Sequence, residues 1–266
     1  MEVARPRIWL IGGTAESRAI AQAMVARQIP CVVSVTTEAA QGLYPTDGAL
    51  SVWVGRLTPA TFDRFLQQWR VCGVLDASHP FATEISAGAM AAAQRQGLAY
   101  RRFERPALPP APGVERFSDL DTLLAALFAA PVRQRVLLVL GYRQLAAFQP
   151  WQHRADLYAR ILPSVTALQA ALAAGFAAQR LVALRPPISR EVEAALWRQW
   201  HITTVVAKAS GVAGGEAIKQ QLAQAMQVRL LLLDRPQLAY PAVIYQVEEA
   251  VAFGLCAIAG EFPMSS

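Results

Sequence analysis

At 266 residues the chain has room for one large α/β domain or two small ones, each with a sizeable core. Hydrophobic residues make up 54% and charged residues 17%, a balance that excludes disorder. The net charge is +6, and Lys208 and Lys219 are the only lysines among the 25 basic residues. The other cations are arginines, whose forked guanidinium groups suit carboxylate and phosphate partners.

Cys31, Cys72 and Cys256 are odd in number, scattered and set in apolar stretches, so they read as reduced core thiols; their spacing suits no metal. The N-terminal apolar run is too short for a signal segment, and no run of roughly 18 apolar residues suggests a membrane span. A cytoplasmic protein is expected.

The first element, residues 8–11, is a short apolar strand that ends at Gly12-Gly13, and a helical pattern begins at once. Thr14 is placed to cap that helix, and Glu16 suits its first turn. A strand feeding a glycine turn and a helix N-terminus offers N–H groups to a phosphate, although the third glycine of the dinucleotide fingerprint is absent. Residues 31–37 form a second strand ending in Thr36 and Thr37. Glu38 follows, where a ribose-binding acid would stand, and the cue leans toward NADP over NAD. A third strand spans 50–54, and Thr58-Pro59 opens a helix. A fourth strand, 73–76, runs into Ala77-Ser78-His79-Pro80-Phe81-Ala82. An acid and a histidine just past a strand's carboxyl end stand where α/β folds bind ligands, though His79 equally suits fixing its own loop. A small-residue helix covers 83–96.

Residues 99–106 are extended and basic, and the proline-rich 107–116 segment reads as a stiff linker. Domains of 1–106 and 117–266 are therefore expected. The second half repeats the programme. A strand meets Gly141, Tyr142 opens a helix, strands follow at 157–163 and 181–184, and Ser189 caps a helix whose core face holds Trp197. The next strand ends at Lys208 and enters Ala209-Ser210-Gly211-Val212-Ala213-Gly214-Gly215 before a helix from 216 to 227. Lysine, serine and glycines between a strand and a helix form a candidate anion nest, but not a Walker A loop. A strand at 230–233 follows, and the tail from 242 to 254 adds a strand and a helix of unassigned position. The alternation predicts an α/β fold with mainly parallel sheets.

Taken together, these loops resemble the precorrin-6A reductases of corrin-ring biosynthesis. The resemblance lies in Gly12-Gly13-Thr14-Ala15-Glu16, Ser34-Val35-Thr36-Thr37, Gly55-Arg56-Leu57, residues 76–82, residues 100–106, Leu140-Gly141-Tyr142-Arg143, Arg160-Ile161-Leu162-Pro163, Lys208-Ala209-Ser210-Gly211 with Gly214-Gly215, and Asp234-Arg235-Pro236. It implies two Rossmann-like domains with an active site in the cleft between them. It also implies reduction of a double bond in the precorrin-6A macrocycle, or its cobalt form, to give precorrin-6B with hydride from NADPH or NADH. On that footing Gly12, Gly13 and Thr14 hold the pyrophosphate through backbone N–H groups. Thr36 and Thr37 meet the ribose, and Glu16 and Ser78 complete the cofactor set. Asp76, His79 and Lys208 are the candidate catalytic residues. Arg101, Arg102, Arg143, Arg160, Ser210 and Gly211 form the substrate-binding set, whose basic members would meet carboxylate arms of the tetrapyrrole or cofactor phosphates, with no metal site. A sugar or alcohol dehydrogenase would need a Tyr-x-x-x-Lys pair, and neither lysine has a tyrosine four residues before it. A non-catalytic anion-binding regulator, or another NAD(P)H-dependent reductase of an anionic small molecule, is the rival reading. Nucleic-acid and membrane partners are not expected; the arginines are dispersed, and oligomeric state is open, with a monomer sufficing.

Overall fold

A computed structural model describes residues 5–109, 111–129 and 133–261. In chain order it contains β1 (Arg7–Ile11), α1 (Ala15–Ala26), β2 (Cys31–Val35), α2 (Glu38–Gln41), β3 (Leu50–Val54), α3 (Phe62–Gln68), β4 (Val71–Asp76), α4 (Thr83–Arg95) and β5 (Ala99–Phe103). Next come β6 (Val114–Phe117), α5 (Leu120–Phe128), β7 (Arg135–Val139), a 3-10 stretch (Tyr142–Trp151), β8 (Asp156–Ile161), α6 (Val165–Ala173) and β9 (Leu181–Ala183). The chain ends with α7 (Arg190–Gln199), β10 (Thr204–Lys208), α8 (Glu216–Met226), β11 (Arg229–Leu233), β12 (Val243–Ile244) and α9 (Val247–Ala259).

The strands form two six-stranded sheets, β3-β2-β1-β4-β5-β12 and β9-β8-β7-β10-β11-β6, with parallel pairing throughout. In each, strand order reverses beside the central strand, β1 or β7, as in doubly wound nucleotide-binding sheets. The central strands β1, β7, β10 and β11 are largely apolar on both faces because helices cover both. In the first sheet Ile8 and Leu10 face α1 and α9 with Ile20, Met24 and Phe253, while Trp9 and Ile11 face Phe62, Phe65 and Ala89 of α3 and α4. In the second, Leu137, Val205 and Leu230 pack under Trp197 and Leu222 of α7 and α8.

The chain divides into one unit of residues 1–106 with 236–266 and another of residues 107–235. A second domain running from 117 to 266 is therefore corrected at its end: β12 pairs with β5, and Ala250, Val251, Phe253 and Ala257 of α9 bury against the first sheet. The proposed linker at 107–116 is also only partly a linker, because Val114–Phe117 adds the sixth strand to the second sheet beside β11. Pro110, within that stretch, lies outside the described residues. Each sheet thus takes its sixth strand from beyond the usual run of alternating elements. The short patterns of 114–117 and 243–244 do not reveal which sheet will accept them.

All three cysteines are free thiols, but only Cys31 is a core residue; Cys72 and Cys256 are partly buried, and burial pushes Cys31 up to about 12 and Cys72 up to about 11. No helix among the described residues is long and apolar enough to cross a membrane.

Candidate functional site

The first site lies at the carboxyl ends of β1, β2 and β4, where the first sheet reverses. Thr14 caps α1, its Oγ1 accepting from Ser17 N at 3.1 Å and donating to Ala77 O at 2.8 Å. That second bond ties the loop after β1 to the loop after β4. Gly13 takes a positive φ of 99°, which favours glycine.

The amides of Gly12, Gly13 and Thr14, expected at the pyrophosphate, have partners within the protein. Gly12 N donates to Ser34 O at 3.0 Å, Gly13 N to Tyr44 Oη at 2.7 Å and Thr14 N to Ser17 Oγ at 3.0 Å. Helix α1 still begins at Ala15, and an α-helix leaves its first N–H groups outside its own ladder. Ala15 is exposed there, as are Thr36 and Thr37 at the end of β2. Glu16 forms a two-pronged ion pair with Arg105, Nε to Oε1 at 2.7 Å and Nη2 to Oε2 at 2.8 Å, which brings a guanidinium to the first turn of α1. Arg105 lies inside a stretch the sequence singles out, yet pattern alone assigns it no role. A helix N-terminus, exposed hydroxyls and an adjacent cation at the switch point fit a dinucleotide.

The loop after β4 is held from below by a buried polar network. Asp76 is fully buried and accepts from Ser78 N at 2.9 Å, Ser86 Oγ at 2.6 Å, Tyr100 Oη at 2.6 Å and Arg102 Nη1 at 2.9 Å. Arg102 is 1% exposed; it also donates to Ser78 Oγ and O and to Glu104, and lies over the Tyr240 ring. Burial opposes its charge, but Asp76 and Glu104 hold the guanidinium above its usual range. Burial and the neighbouring Asp76 likewise push the Tyr100 phenol up. Asp76 as a catalytic residue, Ser78 as a cofactor contact and Arg102 as a substrate contact are therefore corrected. Their polar atoms are spent on one another to fix the loop. Arg101 and Arg102 are neighbours on a strand and project to opposite faces, so they do not line one surface. Arg101 instead lies over Phe253 of α9.

His79, partly exposed on top of this network, accepts from Phe81 N through Nδ1 at 3.2 Å. That bond places the proton of a neutral imidazole on Nε2, so Nε2 is the atom able to donate. The loop-fixing role considered for His79 is thus present.

The second site lies at the carboxyl ends of β7 and β10. Gly141 turns with a φ of 79° and leads to exposed Arg143. Burial pushes Lys208, at the end of β10, down to about 8, and the Arg143 charge adds to the shift. Ser210 is buried in the following turn. The amide of Gly211, a residue expected at the substrate, donates to Glu216 Oε2 at 2.7 Å. Arg160 as a substrate contact is corrected: it is 8% exposed and paired with buried Glu193. Lys219, unassigned by sequence, lies 3.5 Å from Glu193 and donates to Gly215 O at 3.1 Å, bracing the glycine loop from within. Burial and Arg160 push it down to about 8.

Residues 7–254 match the family model described as precorrin-6x reductase CbiJ/CobK. The cobalt-precorrin-6A reductase of Synechocystis sp. is 46% identical over 231 residues, which cover 86% of this chain and 88% of that protein. The precorrin-6A reductase of Rhodobacter capsulatus is 31% identical, covering 89% and 90% of the respective chains. A solved structure titled CobK precorrin-6A reductase superposes with a TM-score of 0.77 at 27% identity, covering 98% of this chain and all of that one. With nearly its whole length matched in sequence and its fold matched throughout, the chain belongs to the precorrin-6x reductase CbiJ/CobK family.

Proposed function

We propose that this chain is a cytoplasmic reductase of cobalamin biosynthesis that converts precorrin-6A, or its cobalt form, to the 6B product with NADPH. The family match over residues 7–254 carries the reading. The first unit's switch point supports the cofactor part: its exposed α1 N-terminus, Thr36 and Thr37 suit a dinucleotide. When bound, the nicotinamide supplies the hydride.

The chain's own residues bind and orient. Thr36 and Thr37 meet the ribose end, and the first turn of α1, with Arg105 beside it, meets the pyrophosphate. His79 stands at the nicotinamide end with Nε2 as its donor. Arg143, the Lys208 ammonium and Ser210 hold carboxylate arms of the macrocycle, which an anionic tetrapyrrole requires.

Absorbance at the reduced-nicotinamide band tests this with NADPH and NADH in turn, each with precorrin-6A and with cobalt-precorrin-6A. Oxidation of NADPH that depends strictly on a macrocycle is expected. Folded protein that oxidises neither cofactor with either macrocycle overturns the proposal.

A further inference from the structure

Tyr44 lies outside every motif discussed above, on the segment between α2 and β3. Its ring is buried in the first core beside Val33 and Leu50, and only 7% of the residue is exposed. Its hydroxyl stands directly over the glycine turn. Gly13 N donates to Oη at 2.7 Å, and Oη shares a second bond of 2.7 Å with Ser17 Oγ. Ser17 Oγ gives its own proton to Thr14 O at 2.8 Å, so the tyrosine is the donor in that bond. One hydroxyl therefore accepts from the turn and donates to the first turn of α1.

The geometry also explains Gly12. A Cβ there would lie 2.7 Å from Val33 Cγ1 and closer still to Tyr44 Oη. In dinucleotide folds a glycine at such a turn lets the pyrophosphate approach the backbone. Here the group that approaches is a side chain of the protein. Tyr44 is tied in turn to the ribose side: Ala40 N donates to Thr37 O, Leu43 N to Ala40 O and Tyr44 N to Gln41 O, a run of turns from Thr37 to the tyrosine.

We propose that Tyr44 is a positioning residue of the cofactor site, clamping the loop after β2 to the glycine turn after β1. Its hydroxyl closes the Gly13 amide, sets the turn's left-handed geometry and leaves the start of α1 as the surface a pyrophosphate meets. The inference rests on the nicotinamide reading above and adds a residue that sets cofactor affinity without touching the macrocycle. Loss of the hydroxyl leaves the ring in the core but removes the protein partner of the Gly13 amide and frees the turn to wander.

Titration of wild type and Tyr44→Phe with NADPH, followed by nucleotide fluorescence, tests this without turnover. Tyr44→Phe, which loses both bonds of the hydroxyl, is expected to bind NADPH about tenfold more weakly. In steady state KM for NADPH rises by the same factor, while kcat at saturating cofactor and KM for the macrocycle stay near wild type. Gly12→Ala, which drives the hydroxyl off the turn from the other side, is expected to weaken NADPH binding as well. A merely structural hydroxyl would lower Tm and leave cofactor affinity unchanged, which would overturn the inference. Tighter NADPH binding by Tyr44→Phe would also overturn it, since the hydroxyl would then compete with the cofactor for the amide. Wild type that binds neither NADPH nor NADH fails the underlying functional reading; wild type that binds, with an unaltered Tyr44→Phe variant, fails this inference alone.

Discussion

Asp76 and Arg102 are adjacent across two paired strands, and burial makes each depend on the other. Asp76 is fully buried and Arg102 is 1% exposed, so neither charge has water as an alternative partner. Arg102→Met leaves the Asp76 carboxylate with its neutral donors but without its cation, and is expected to cost about 3–5 kcal/mol. Urea denaturation measures this, and Arg102→Met combined with Asp76→Asn, which removes both charges, is expected to recover much of the loss. A single variant no less stable than a surface substitution would show that the pair carries no such dependence. Lys208 is the residue on which the proposed macrocycle contact can be tested by pH. With its ammonium lowered to about 8, kcat/KM for the macrocycle is expected to fall about tenfold per pH unit above pH 8. Lys208→Arg, whose guanidinium stays charged, is expected to flatten that limb. Stability moves the other way on this group's account. The unfolded chain holds the lysine proton up to its ordinary value of 10.5, so it binds more protons between about 8 and 10.5 and stability rises with pH there. A pH profile of kcat/KM unchanged by Lys208→Arg would remove Lys208 from substrate binding.

At the scale of elements, regular pattern carried the sequence a long way, and contacts between loops carried it no further. The strands at 50–54 and 204–208 and the caps at Thr14 and Ser189 were readable because each rests on local period or local hydrogen bonding. Strand β6 was not: Val-Glu-Arg-Phe follows a proline-rich run, and its place comes from pairing with β11 and from the Glu115–Arg229 ion pair at 2.6 Å. The site residues divide in the same way. His79, Lys208 and Arg143 stand at strand ends, where the pattern places function. Arg102 and Arg160 were indistinguishable from substrate arginines, because the acids that occupy them, Asp76 and Glu193, lie 26 and 33 residues away. One local clue was available. Consecutive residues on an extended strand face opposite sides, so Arg101 and Arg102 could not share one role. Tyr44 offered no clue at all, since nothing in its neighbours announces a hydroxyl 31 residues from the amide it accepts.

At the scale of the whole molecule, the return of the chain after Arg235 makes the first unit depend on residues that follow the whole second unit. Strand β12 completes its sheet, Ala242 O and Ile244 O accept the amides of Arg102 and Glu104, and α9 covers one face of β1 and β4. Val251 and Phe253 lie in that core, and Ile244 beside them. Exposing these three side chains forfeits roughly 1.5–3 kcal/mol each, against a typical total of about 5–15 kcal/mol for a domain. A chain ending at Arg235 is therefore expected to lose the first unit and keep the second, although the deletion is at the far end of the sequence. Hydrogen exchange separates the two outcomes: amides of β1 to β5 should become unprotected, while those of β7, β10 and β11 remain slow. The tryptophans give a second view, with Trp9, Trp53 and Trp69 in the first unit and Trp151, Trp197 and Trp200 in the second. Adding residues 236–266 back as a separate peptide should restore protection to β4 and β5 in proportion to its concentration, because the missing strand and helix bind the folded state and stabilise it by mass action. Full protection of β1 to β5 without the tail would mean that the first sheet is self-sufficient, and that β12 and α9 only cover it.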